Sequence, residues 1–318
     1  MKNISLDNIT QAVINHGNGG KTNPRLYEIY TSLVTHLHAF IKEVNLTEEE
    51  LQIGRDFLSR VSRPSVQMPD GEIAMLTDLL GLSELVDLLH HTNSESTQST
   101  LEGPVYVPNA PERQMGDCLG VDKEGDPLFF SGSVVNTDGM PITNTLIEVW
   151  QSNSKGLYDI QDPNQPKGNF RGCFRTGADG KYTFETVVPI GYAIPADGAC
   201  GQVLRLLGRH TQRPAHIHFK LSAGGYTTLT TQTYFDDDPY IHSDTVFAVT
   251  SSTLLISLEK HDAPNEIWER NVNKPFYTTK FDFVLSPAAE ETRASEKLTN
   301  FSEKKIFGGM DVATLQKP

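Results

Sequence analysis

The chain has 318 residues, 37% of them hydrophobic, enough to bury the core of one large domain or two ordinary ones. Its 40 acidic residues against 27 basic ones leave a formal charge of -13, and no Lys/Arg-rich run offers a surface that could track phosphates, so nucleic acid is excluded as an expected partner. The opening MKNISLDNITQAVINHGNGGKTNP lacks the apolar centre of a signal peptide, and no later stretch approaches the ~20 apolar residues that span a bilayer; the expectation is a soluble, cytoplasmic protein.

Residues 1–91 read as an all-helical unit. Asn23-Pro24 supplies an N-cap followed by Pro at the first helical position, and Leu26, Ile29, Leu33, Leu37, Phe40 and Ile41 then recur at helical spacing over about five turns. Thr47 with Glu50 forms a T-x-x-E capping box ahead of Leu51, Ile53, Phe57 and Leu58. Gly81 separates two shorter apolar segments, Ile73 to Leu80 and Leu82 to Leu89. These apolar faces exceed what one small bundle needs, which predicts burial against a second copy of the chain.

Residues 92–100, TNSESTQST, read as a polar linker, after which the period changes from helical to alternating. From Leu101 to about 286 short strands are expected at Leu128–Val134, Thr145–Trp150, Lys181–Val187, Ala215–Leu221, Thr227–Thr233 and Leu254–Glu259. The turns Thr137-Asp138-Gly139, Ala178-Asp179-Gly180 and Ala223-Gly224-Gly225 separate several of them. The spacing predicts a β-sandwich, hence a mainly β protein with an α-helical N-terminal domain. Residues 287–318 turn polar and lose alternation, which reads as an extended or partly disordered tail. Cys118, Cys173 and Cys200 have no CxxC spacing, so neither a disulfide framework nor a zinc-thiolate site is expected.

His216-Ile217-His218 is the sharpest local feature. Positions two apart on a strand project from one face, so both imidazoles can reach one ion, whereas His36 and His38 lie on a helix and diverge by about 200°. Read by itself, an H-x-H pair is more often a pair of ordinary strand histidines than a metal site. Tyr158 in KGLYDIQDP and Tyr192 in PIGYAIPADG stand in Gly/Pro-rich sequence beside expected strands, where binding residues concentrate, although a lone tyrosine there is commonly packing. Two phenolates with two neutral imidazoles would make a hard, anionic donor set that favours ferric iron over zinc. Asp236-Asp237-Asp238 lacks the rest of a calcium loop and reads as a solvated turn, and His210 reads as structural.

Four segments taken together resemble the intradiol ring-cleavage dioxygenases, with catechol and hydroxyquinol 1,2-dioxygenases the nearest likeness. They are LEGPVYVPNAP at 101–111, IEVWQSNSKGLYDIQDP at 147–163, FRTGADGKYTFETVVPIGY at 174–192 and GRHTQRPAHIHF at 208–219. The resemblance runs from about 24 to 286. It implies one Fe(III) per subunit held by Tyr158, Tyr192, His216 and His218, with Tyr192 also a base. Arg213 would stabilise charge developing on the substrate ring, and Gln232 would stand beside the ligands. It further implies an aromatic diol and O2 as substrates, no organic cofactor, and a homodimer built through the N-terminal helices.

Met75-Leu76-Thr77-Asp78 resembles the helix that lines the pocket of hydroxyquinol enzymes, with Asp78 toward the ring's third hydroxyl, and Val246 resembles the smaller residue that leaves room for it. The expected reaction is therefore opening of hydroxyquinol (benzene-1,2,4-triol) to 3-hydroxy-cis,cis-muconate or its tautomer maleylacetate, in aromatic compound catabolism. Catechol 1,2-dioxygenase activity giving cis,cis-muconate is the alternative. A third reading, from SGSVVNTDGMPITNTLIEVW and GADGKYTFETVVP, is a non-enzymatic transthyretin-like sandwich without a metal.

Overall fold

In a computed structural model the described residues are 3–16, 23–64, 68, 71–91 and 95–288. They fall into two compact units, 1–64 and 65–318. The expected tail lies outside the described residues, apart from 287 and 288.

The first unit holds α1 (Ile9–Asn15), α2 (Pro24–Glu43) and α3 (Glu48–Val61). The Asn23 side chain caps α2 by accepting from Leu26 N, and Thr47 and Glu50 close the capping box of α3 reciprocally. The hydroxyls of Tyr27 and Tyr30 on α2 donate to the carbonyls of Ile14 and Val13 on α1. Leu26, Leu33, Leu37 and Phe40 on α2 and Ile53 and Leu58 on α3 are exposed.

The second unit begins with α4 (Ile73–Leu79) and α5 (Leu82–His91), joined at Gly81, whose φ of +68° favours a residue without a Cβ. The strands β1 (Pro127–Asn136), β2 (Leu146–Gln151), β3 (Arg171–Arg175) and β4 (Lys181–Val187) follow. After them come β5 (Tyr192–Ala193), α6 (Ala199–Leu206), β6 (Gln212–Arg213), β7 (His216–Ser222) and β8 (Leu229–Phe235). The unit ends with β9 (Leu255–Ile256), β10 (Glu259–His261), α7 (Pro264–Glu269), β11 (Phe276–Lys280) and β12 (Phe283–Leu285). One five-stranded sheet runs β10-β11-β1-β12 with β4 also paired to β1, the other β3-β2-β7-β8-β9, and β5 pairs with β6 apart from both.

Alternation decides which side of each strand enters the sandwich. Leu128, Phe130 and Val134 of β1 and Tyr182 and Phe184 of β4 share one core with Ile147 and Val149 of β2 and Ile217, Phe219 and Leu221 of β7. Aromatic contacts bind the layers: the rings of Phe130 and Phe219 lie 5.4 Å apart, and those of Phe219 and Phe283 4.9 Å. Among the described residues no helix is long and apolar enough to cross a membrane.

The expected strand Leu254–Glu259 is divided. Leu255 and Ile256 pair with β8, whereas Glu259 to His261 pair with β11 in the other sheet. The chain crosses between layers at Ser257, where the Thr279 hydroxyl donates to the Ser257 carbonyl and the Ser257 hydroxyl bonds Asp236. The expected linker is, from residue 97, hydrogen-bonded to the sheets through Thr97 N to the Val284 carbonyl and Thr100 N to the Thr230 carbonyl.

β1 changes partners half-way, pairing Leu128–Ser131 with β11 and Val134–Asn136 with β12. Gly132 stands at the changeover, and a Cβ there would overlap the Phe281 carbonyl. Gly132→Ala is therefore expected to destabilise the fold by about 1–3 kcal/mol through overpacking, read as a lower midpoint in urea at unchanged slope.

Candidate metal centre

The face of β7 opposite the core carries His216 and His218, both buried. Across β3, β2, β7 and β8, Arg171, Trp150, His218 and Gln232 are register partners and form one cross-strand row. The Trp150 ring stacks on His218 at 4.7 Å and 9°. His216 Nδ1 donates to the Pro214 carbonyl at 2.7 Å, which leaves its Nε2 carrying the lone pair. Burial holds both imidazoles well below the usual histidine range, assisted at His216 by Arg213 and at His218 by His216 and Arg213. Both are neutral at physiological pH, the state in which an imidazole can coordinate a metal.

Tyr158 hangs in the loop between β2 and β3, its N–H held by the Gln161 side chain. The next residue, Asp159, accepts from Arg171 Nε at 2.7 Å in a buried ion pair and from Gly168 N, tying that loop to β3. Tyr192 stands on the two-residue strand β5, opposite Arg213 of β6, so this tyrosine is placed by a ladder. The Tyr158 hydroxyl lies 3.3 Å from His216 Nε2 and 3.1 Å from His218 Nε2, and that of Tyr192 lies 3.5 Å from His216 Nε2. Burial, then the neighbouring Tyr192, pushes the Tyr158 phenol well above its ordinary value when no cation balances it.

Arg213 is buried beside this group. Its Nε and Nη2 bond both carboxylate oxygens of Asp244 at 3.1 Å, Nη2 also bonds Gln232 Oε1 at 2.9 Å, and Nη1 lies 3.3 Å from His216 Nε2. Burial works against its charge, but Asp244 and the neighbouring phenols more than restore it. Gln232 passes the connection on, donating to the Leu101 carbonyl at 2.7 Å and accepting from the Tyr234 hydroxyl at 3.1 Å. Asp238 accepts from Ala215 N at 2.9 Å and from Tyr240 N at 2.8 Å, so the acidic turn anchors the residue preceding His216. His210 lies on an open cavity with His242 and Phe247.

Tyr158, Tyr192, His216, His218, Arg213 and Gln232 are thus brought together. Asp78, on α4, is partly buried; burial raises its carboxyl, against opposing effects of Ser83 and Arg213. Val246 is buried and its N–H donates to Asp244 Oδ1. Sequence reasoning missed Asp244, Trp150 and the Asp159–Arg171 pair. Only Asp159, adjacent to Tyr158, had a positional signal; Asp244 follows His216 by 28 residues with no motif to link them. Among the described residues no cluster of three His, Cys, Asp or Glu side chains could hold a metal, since half of this donor set is tyrosine.

A family model described as "Dioxygenase" matches residues 101–287, and one described as "Catechol dioxygenase N terminus" matches residues 23–98. The chain is 41% identical over 265 residues to a hydroxyquinol 1,2-dioxygenase of Rhizobium sp. (strain MTP-10005), covering 83% of this chain and 90% of the relative. It is 36% identical over 296 residues to a catechol 1,2-dioxygenase of Candida albicans, covering 91% and 96%. A solved hydroxyquinol 1,2-dioxygenase from Pseudomonas putida DLL-E4 superposes with a TM-score of 0.82 at 35% identity, covering 89% of this chain and 99% of that one. These matches set aside the reading as a non-enzymatic sandwich. By both halves of its sequence and by its fold, this chain belongs to the intradiol ring-cleavage dioxygenases and is an enzyme of that family.

Proposed function

We propose that the chain opens hydroxyquinol between its adjacent hydroxyls, using O2 and one ferric ion held by Tyr158, Tyr192, His216 and His218. The convergence of two phenol oxygens and two imidazole Nε2 atoms at 3.1–3.5 Å carries this reading. Donor atoms this close together could be held by one ion without rearranging the backbone. The donor chemistry fits too: both imidazoles are neutral, and a cation would reverse the penalty that burial imposes on the Tyr158 phenolate. When bound, ferric iron supplies the ability to draw charge from a coordinated ring diol so that dioxygen attacks the ring.

The other steps belong to the chain's own residues. Tyr192 is half-buried and sits on a short strand at the edge of the group, so its phenolate oxygen can take a proton from an incoming diol hydroxyl. Arg213, fixed on two sides by Asp244 and Gln232, presents a buried positive charge to the electron-rich ring. Both atoms of O2 enter the product, giving 3-hydroxy-cis,cis-muconate or maleylacetate, and the reaction needs no outside reductant. Asp78 is a partly buried carboxyl, already influenced by Ser83 and Arg213, that can accept a further hydrogen bond from a ring with a third hydroxyl, and Val246 leaves room for that group. Catechol, giving cis,cis-muconate, is the substrate expected if Asp78 does not read the ring. The exposed apolar faces of α2 and α3 support a homodimer through the N-terminal helices.

Three outcomes test this reading. His216→Ala or His218→Ala should lose bound iron and the visible phenolate-to-iron colour; full iron occupancy by elemental analysis would show that the ligand assignment is wrong. In parallel assays of hydroxyquinol, catechol and protocatechuate, Asp78→Ala should lower the preference for hydroxyquinol over catechol by about 5- to 150-fold, on the order of 1–3 kcal/mol; an unchanged ratio removes Asp78 from recognition. Leu33→Glu with Leu37→Glu should shift the full-length protein from dimer to monomer by light scattering, and a retained dimer would refute that interface.

A further inference from the structure

On α5, facing the Arg213 network, lies a carboxyl group with no part in the chemistry above. Glu84 is 4% exposed, and neither of its carboxyl oxygens has a hydrogen-bond partner among the described residues. A buried glutamate ordinarily comes with a cation or a set of donors. The groups facing Glu84 are Asp87 on α5 itself, Asp78 on α4, Tyr234 on β8, Arg213 on β6 and Asp244 in the segment after β8. Arg213 is the single cation among these groups, and Asp244 and Gln232 already occupy its guanidinium.

Four carboxyl groups therefore share one positive charge. Asp244 has the guanidinium, Asp87 accepts from the Ser99 hydroxyl at 2.6 Å, and Asp78 is hydrogen-bonded to Ser83. Glu84 has no such donor. Its place in the first turn of α5 favours negative charge there, but a ten-residue helix end does not offset burial without a hydrogen bond.

We propose that Glu84 is a positioning residue that works through Arg213: as the neutral acid it leaves the guanidinium's field directed at the ring substrate, and as the carboxylate it draws that field toward α5. This rests on the role given above to Arg213. Burial, then Asp87 and Asp244, push the Glu84 carboxyl up to about 8, with Arg213 opposing them. Loss of its proton to solvent would thus turn the enzyme down in the mildly alkaline range.

Two measurements on the full-length iron-loaded enzyme test the proposal. Dividing kcat/KM of Glu84→Gln by that of wild type cancels the ionisation of the diol and of every other shared group. The quotient should climb about tenfold between about pH 7 and pH 9, because only wild type loses its active form there. Stability should move by linkage. The carboxyl ionises near its ordinary 4.5 in the unfolded chain and near 8 in the folded one. Its contribution to wild-type stability is then full below about 4.5, falls as pH rises, and is lost through about 8. The Tm advantage of Glu84→Gln should accordingly widen from about pH 4.5 to about 8 and then stay level.

A Tm trend with a flat kinetic quotient would make Glu84 a merely structural acid and overturn the proposal. A flat Tm difference, or no alkaline loss in wild type, overturns it as well. Glu84→Met, apolar and of similar volume, gives the same quotient if the glutamine variant does not fold. Wild type that cleaves none of the diols at any pH would instead sink the proposed function and this inference with it, and the silent wild type tells that failure from the others.

Discussion

The two-residue pleat of β7 is the constraint from which the site follows. Ile217, Phe219 and Leu221 are driven into the aromatic core between the sheets, so His216 and His218 must emerge on the opposite face. A one-residue slip would turn the three core side chains out of the sandwich and both imidazoles into it. Core packing therefore fixes the direction of the imidazoles, and it does so far from any metal. The same register aligns Trp150 and Gln232 on either side of His218, with Trp150 stacked on its ring on one flank and Gln232 bonded to Arg213 on the other.

Burial then sets the electrostatics. A group of side chains this enclosed can keep a charge only where a partner stands within hydrogen-bond reach. Arg213 with Asp244 and Arg171 with Asp159 meet that condition, and each pair is attached to a residue that must be held still. Asp159 follows Tyr158 directly, and Arg213 pairs in register with Tyr192. Each tyrosine thus has a buried ion pair next to it, one holding a loop on a sheet and the other bracing a two-residue strand too short to be stable alone.

The sandwich was legible because its strands are half-buried: Lys181 to Val187 alternates cleanly and is found at its expected bounds. So were the helix starts, because Asn23 and Thr47 carry local capping chemistry. β3, with the sequence RGCFR, was not, since Arg171 is buried and Gly172 has no side chain to mark a face. The crossing at Ser257 was equally silent, being set by Asp236 and Thr279 from distant segments. His216, His218, Tyr158 and Tyr192 were within reach because H-x-H is a short-range pattern and the tyrosines stand in distinctive sequence, whereas Arg213 and Gln232 came only with the family resemblance. Asp244 and Glu84 were not, because a buried acid and a surface acid look alike until the fold assigns their neighbours.

On the proposed function, chemistry and selectivity come from different layers of this unit. The donor atoms and Arg213 belong to β5, β6, β7 and the loop after β2, all held by sheet register, whereas Asp78 and Glu84 belong to the short helices α4 and α5. Those helices are fastened from outside the sandwich: Glu72, just ahead of α4, accepts from Cys200 N at the start of α6, and Arg209 donates to the Leu79 carbonyl at the end of α4. On the proposed function, substitutions on α4 and α5 would retune which ring is accepted, and at what pH, while the sheet goes on presenting the same two imidazoles and two phenols.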